Sequence, residues 1–246
     1  MTEKKPGWFG ETGRTILYAV LIAVGVRSFA YEPFNIPSGS MIPTLLIGDY
    51  LFVSKGSYGY SRYSFPFSLP SFSGRIWFES PVRGDVVVFK LPSDNSTDYI
   101  KRIVGLPGDR IAVREGVLRI NGVPVQRERI EDYVDRRFDG EAFRYTQYIE
   151  TLPNGVKHRI LERSDSEPLD NTEEFVVPPQ HYFAMGDNRD NSQDSRVMSR
   201  VGFIPEANLV GRAEFMFFST DGSAKMWEFW KWFSATRVSR LFSAVR

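Results

Sequence analysis

Between residues 37 and 218 no stretch of useful length repeats its apolar residues at the three- and four-residue spacing of a helix. What recurs instead is short runs of β-branched and aromatic residues closed by turn residues. Residues 49–55, 86–90, 99–104, 110–113, 117–120, 176–185 and 210–218 read as strands. Arg83-Gly84-Asp85, Glu115-Gly116 and Asn121-Gly122 read as turns between them. A chain patterned this way buries its apolar side chains by pairing strands, so the expected class is mostly β with a helix at each end. Residues 35–109 and 180–222 are expected to form one β-core, and the more polar 110–179 a smaller inserted β-region. Residues 56–81, rich in Ser, Gly, Pro and aromatics, read as a long loop or extended hairpin.

The two ends need separate treatment. Residues 16–26 are an unbroken apolar run, Arg27 interrupts it, and 28–34 are again largely apolar. A membrane span normally needs about 20 apolar residues. Hydropathy therefore leaves three readings open. One is a cleavable signal peptide, with Ser28-Phe29-Ala30 as its small-x-small site. Another is a buried core helix. The third is a membrane anchor over 15–34, with Arg27 reaching the far interface. In that reading residues 1–14, which include Lys4, Lys5 and Arg14, stay cytoplasmic and the bulk of the chain lies outside.

Residues 223–246 gather Trp227, Phe229, Trp230, Trp232 and Phe233, after which Ala235, Val238, Leu241, Phe242 and Val245 recur at helical spacing. Their charges are Lys225, Lys231, Arg237, Arg240 and Arg246 against Glu228. This pattern predicts a C-terminal amphipathic helix. It either lies on the outer leaflet of the cytoplasmic membrane or packs on the β-core.

Composition removes several function classes. A net charge of +1 gives no overall pull toward nucleic acid. The absence of cysteine excludes disulfides, thiolate metal sites and a cysteine nucleophile. With His158 and His181 the only histidines, and no Walker loop, neither a metal nor a cofactor is expected.

Three stretches hold the residues suited to chemistry. In 37–49, Ser38 and Ser40 flank Gly39 between Pro37 and Pro43, a constrained turn that can hold a hydroxyl beside free N–H groups. Read alone, such a cluster is usually an ordinary turn. In 98–109, strand alternation puts Lys101 on one face and Ile100 and Arg102 on the other. Burial would lower the pKa of Lys101 and make it a general base; an edge lysine facing solvent is the plain alternative. Residues 185–196 are a polar run without the closing Glu of a calcium loop, and read as a salt-bridged scaffold or a surface loop. A Ser-His-Asp arrangement using His181 and Asp187 is the enzymatic rival. A non-catalytic, anchored β-domain binding an extracytoplasmic peptide or partner is the rival from another class.

Pro-Ser-Gly-Ser-Met-x-Pro-Thr-Leu, Arg-Gly-Asp-Val-Val-Val-Phe, Tyr-Ile-Lys-Arg-x-Val-Gly-Leu-Pro-Gly-Asp and Gly-Asp-Asn-Arg-Asp-Asn-Ser-x-Asp-Ser-Arg occur in that order along most of the chain. Together they resemble the bacterial type I signal peptidases, or leader peptidases. The resemblance implies a membrane-bound serine endopeptidase, with an SH3-like or coiled β-sheet catalytic core, that removes signal peptides from exported preproteins after Ala-x-Ala. It puts Ser40 at the nucleophile and Lys101 at the general base. Ser38 falls at the oxyanion hole and Ser192 at the hydroxyl orienting the base. Asp194 and Arg196 fall at the supporting ion pair, and Ile36, Leu45, Val88, Tyr99 and Ile100 around the substrate pockets. It also implies one anchor in the bacterial cytoplasmic membrane, a catalytic domain on the extracytoplasmic side, and preprotein signal peptides and membrane lipid as partners.

Overall fold

The computed structural model describes residues 8–136, 142–224 and 228–246. Lys4, Lys5, Lys225 and Trp227, named above, lie outside the described residues. Helix α1 (Trp8–Phe29) leads into β1 (Tyr31–Asn35), β2 (Asp49–Ser54), β3 (Val86–Lys90) and β4 (Asp98–Gly105). Next come β5 (Arg110–Arg114), β6 (Val117–Ile120), β7 (Val123–Pro124), β8 (Gln126–Arg129), β9 (Tyr133–Arg136), β10 (Ala142–Thr151), β11 (Lys157–Glu162) and β12 (Phe175–Val176). Strands β13 (His181–Met185), β14 (Ile204–Pro205) and β15 (Leu209–Ser219) and a one-turn helix α2 (Trp232–Ala235) complete the described elements. The mostly-β class is as expected.

The main sheet runs β1-β2-β15-β3-β4-β13-β14. Strand β3 shows why it is central. Val86 and Val88 pack on one face with Leu51, Val53, Val210 and Met216, while Val87 and Phe89 pack on the other with Ile103, Tyr182 and Leu209. A strand whose two faces are both covered needs an apolar residue at every position, as this continuous run has. Strands from 110–176 build two smaller sheets, β12-β5-β6-β7 and β11-β10-β8 with β9 on β10. The first is joined to the main sheet by a shared core of Val104, Ile111, Val113, Leu118, Phe175 and Phe183. The aromatic stretch 56–81 is tied down by Arg75, whose guanidinium donates to the carbonyls of Tyr58, Gly59, Glu206 and Leu209.

Helix α1 has 22 residues, about 33 Å at 1.5 Å per residue, which is long and apolar enough to cross a membrane. Most of its apolar side chains, Ile22 at 67% among them, face outward, while Phe29 at its end meets the rings of Tyr60 and Phe65. The expected anchor over 15–34 is cut short on its C-terminal side: Tyr31–Asn35 pairs antiparallel with β2. Pro33, which donates no N–H, sits on this edge strand.

The amphipathic helix expected over 223–246 is not formed. Among the described residues there, only Trp232–Ala235 is α-helical, with single 3-10 turns at Phe229–Lys231 and Val238–Arg240. Thr236 bridges Thr220 and Ala244 bridges Phe215, so the tail runs back along β15. Met216 N–H donates to the Ser243 carbonyl and Val245 N–H to that of Glu214. The physical reason lies in the arginines. Asp49 is fully buried, and Arg240 forks onto it, Nε at 3.1 Å, while its Nη2 also donates to the Thr44 carbonyl at 2.9 Å. These charge-assisted bonds to the core outweigh the helical spacing of the apolar residues. Replacing Arg240 by Ala leaves a buried carboxylate with the Leu46 N–H, Ser219 Oγ and the distant Arg237. It should lower unfolding free energy by about 3 kcal/mol in denaturant titration of the detergent-solubilised protein. A change below about 0.5 kcal/mol would mean that the tail is not held this way.

Candidate active site

Ser40 sits in the turn after Pro37. Ile42 N–H closes the turn on the Gly39 carbonyl at 3.2 Å, and Leu45 N–H donates to the Met41 carbonyl at 2.9 Å. Lys101 is carried by β4, where the ladder pairs it with Val87. The two meet across 61 residues of chain: Nζ lies 2.6 Å from Ser40 Oγ and donates to the Ile100 carbonyl at 2.9 Å. Lys101 is 3% exposed. Burial pushes its pKa down to about 8, while the carboxylates of Asp194 and Asp187 act in the opposite direction.

Those carboxylates are held by arginines. Arg196 donates to Asp194 through Nε at 2.9 Å and Nη2 at 2.9 Å, both residues buried. Arg102 forks onto Asp187 at 2.9 and 2.7 Å, and Thr44 Oγ1 donates to the same carboxylate. Burial alone would raise the pKa of both acids, but the adjacent guanidiniums hold each below the usual carboxylate range. Lys101 and Arg102 thus serve opposite faces of β4, as alternation predicts.

A cleft of about 560 Å³ opens beside the pair. Of the expected pocket residues, Ile36, Val88, Tyr99 and Ile100 line it, together with Ser38. Leu45 does not: it is fully buried in the core behind Ile36 and Val88. Phe34, Asn191 and Gln193 also line the cleft and were not singled out from the sequence. Asn191 and Gln193 belong to the 185–196 run, where nothing in a string of polar residues marks which ones face a cavity.

Ser192 departs from the resemblance. Its buried Oγ makes no hydrogen bond among the described residues, to Lys101 or otherwise. It stands close enough to Asp194 to favour the ionised carboxylate, but outside hydrogen-bond geometry. The rival triad is not assembled. His181 Nδ1 faces the Pro179 carbonyl at 2.8 Å, and Asp187 is occupied by Arg102 and Thr44. His158, with its ring buried, lies with Nε2 3.3 Å from Glu150 and 3.9 Å from Asp187.

Residues 9–218 match the family model described as signal peptidase, peptidase S26. The chain belongs to the signal peptidase S26 family. It is therefore a serine peptidase, a hydrolase. It is 42% identical over 211 residues to a signal peptidase I of Rickettsia conorii, covering 82% of this chain and 77% of that one. It is 38% identical over 244 residues to one of Rickettsia typhi, covering 92% and 89%. A crystal structure of a signal peptidase I from Enterococcus faecalis is 27% identical with a TM-score of 0.33, covering 55% of this chain and 97% of that one.

Within this S26 peptidase, Gly186 packs against both Ser192 and Ser40. A Cβ there would stand 2.2 Å from Ser192 Oγ and 2.5 Å from the Ser40 carbonyl oxygen. The hydroxyl can rotate away, but Ser192 Cβ, also 2.5 Å away, and the Ser40 carbonyl move only with their backbones. Gly186→Ala should therefore lower kcat on the order of 10²-fold through displacement of Ser40 and Ser192, and lower the melting temperature as well. Full activity in a folded Gly186→Ala protein would show that the turn carrying Ser40 tolerates the shift.

Proposed function

We propose that the protein removes signal peptides from exported preproteins with Ser40 and Lys101 as a catalytic pair. The observation that carries this is the buried lysine 2.6 Å from the serine hydroxyl, with a pKa pushed down to about 8. In its neutral form Nζ accepts the Ser40 proton as Oγ attacks the scissile carbonyl. The oxyanion forms beside Ser38 and the Ser40 N–H. The Lys101 ammonium then gives its proton to the leaving nitrogen, the C–N bond breaks, and the mature chain departs with a new amino terminus. A water deprotonated by Lys101 attacks the acyl-Ser40 ester, releasing the signal peptide and restoring Ser40.

Ile36, Val88, Tyr99 and Ile100 make the cleft wall apolar, which supports binding of an apolar stretch such as Ala-x-Ala before the cut. Helix α1 is the proposed single membrane anchor of a bacterial cytoplasmic-membrane protein. The basic residues before it place the N-terminus in the cytoplasm, and the site lies outside. With only nine residues between Ala30 and Ser40, the site stays near the membrane from which its substrates emerge. The direct test is to incubate the detergent-solubilised protein with a preprotein ending its signal in Ala-x-Ala. One cut at that bond, lost in Ser40→Ala, is expected; cutting elsewhere or by both proteins would overturn the reading.

The pH dependence follows from the lysine. Below about pH 8 Lys101 is charged and cannot accept a proton, so kcat/KM should rise about tenfold per pH unit and level off above that point. Lys101→Arg, charged at every accessible pH, should be inactive, and activity retained in it would remove the lysine from the mechanism.

Ser40→Ala and Lys101→Ala should each lower kcat by several orders of magnitude, and the double variant should be little worse than either. Losses that add in free energy would contradict a shared step.

A further inference from the structure

Asn188 is 2% exposed and follows Asp187 directly. Its side-chain Nδ2 donates to the Gly39 carbonyl at 3.1 Å, and its backbone N–H donates to the Ser40 carbonyl at 3.1 Å. Those carbonyls belong to the two peptide planes on either side of Ser40 Cα. Because each peptide is planar, holding both planes holds φ and ψ of Ser40. In a trans peptide the N–H points opposite to the preceding C=O. The bond to the Gly39 carbonyl therefore also aims the Ser40 N–H, which has no acceptor among the described residues.

The Gly39 carbonyl has a second donor, Ile42 N–H at 3.2 Å. That bond closes the turn on itself, whereas Asn188 ties the turn to the rest of the site. Asn188 is in turn held firmly. Arg102 grips Asp187 before it, and Arg189 after it forks onto the buried Glu150 at 3.0 and 2.6 Å. Leu161 N–H on β11 donates to the Asp187 carbonyl at 2.8 Å, and Asn191 N–H donates to the Asn188 carbonyl at 3.0 Å. The inserted strands β10 and β11 thus reach the nucleophile through one asparagine.

We propose that Asn188 is a positioning residue for the reaction: its two donors set the Ser40 backbone so that the Ser40 N–H stands as an oxyanion donor. This rests on the Ser40 chemistry proposed above. A hole donor acts on the transition state and not on bound substrate, so its misplacement lowers kcat and spares KM.

The test uses the full chain in detergent with a preprotein substrate and a peptide aldehyde ending in alanine, whose adduct with Ser40 carries an oxyanion. Asn188→Ala should lower kcat about tenfold to a hundredfold, leave KM within about twofold, and weaken the aldehyde by the same factor as kcat. Asn188→Asp keeps the side-chain shape but turns an acceptor on the Gly39 carbonyl, and should be at least as impaired. The ratio of aldehyde inhibition constant to KM does not depend on what fraction of a variant folds. An unchanged ratio in both variants would overturn the proposal. So would an Asn188→Asp enzyme as active as the wild type. Cleavage surviving in Ser40→Ala would overturn the Ser–Lys reading and this proposal with it. Cleavage lost in Ser40→Ala but untouched in Asn188→Ala would overturn this proposal alone.

Discussion

A lysine ammonium taken out of water is the constraint on which the site depends. Nothing in the chemistry of Lys101 alone makes it a base near neutrality; the low pKa comes from its burial between β4 and the turn of Ser40. Burial works only if no free carboxylate sits close by, since an unpaired anion would hold the ammonium charged. The two acids that do act on Lys101, Asp194 and Asp187, are each gripped by an arginine, Arg196 and Arg102. Their charge is spent locally. A buried ion pair is weak evidence for stability; here two of them keep a third cationic group neutralisable.

The same pairs order the backbone. Arg102 is the next residue after Lys101, and Asp187 is the residue before Asn188, so the Arg102–Asp187 fork joins β4 to the loop that touches the Gly39 and Ser40 carbonyls. Glu150–Arg189 and Leu161–Asp187 join that loop to the inserted strands. The inserted region is thereby more than an appendage to the core. It supplies the outer wall of a polar scaffold whose inner end is Ser40. Side chains held at both ends keep catalytic groups within the fraction of an ångström that attack geometry demands.

The C-terminal tail shows a local signal overruled by long-range charge. Its apolar spacing is helical, yet Arg240 spans back to Asp49, 191 residues earlier, and the chain lies extended along β15. An isolated helix of this length is marginal in water. A fork onto a buried carboxylate plus backbone bonds to β15 is the stronger set of contacts.

Read by itself, the sequence determined what depends on local pattern and residue identity. Short β-branched and aromatic runs set the mostly-β class, the run before Arg27 marked an N-terminal apolar segment whose role stayed open, and the motif order set which serine and which lysine to watch. Strand alternation even separated the faces of Lys101 and Arg102. What only the tertiary structure decided depends on neighbours far apart in the chain. Leu45 and Val88 are both apolar, but one lies behind the cleft wall and the other on it. Ser192 and Asn188 sit in one polar run, and only the folded chain shows Asn188 turned onto the Gly39 and Ser40 carbonyls and Ser192 without a bond to Lys101. The tail's path and the lysine's pKa are of the same kind. Burial and hydrogen-bond partnership belong to the folded chain, because solvent exclusion comes from residues that the sequence does not place side by side.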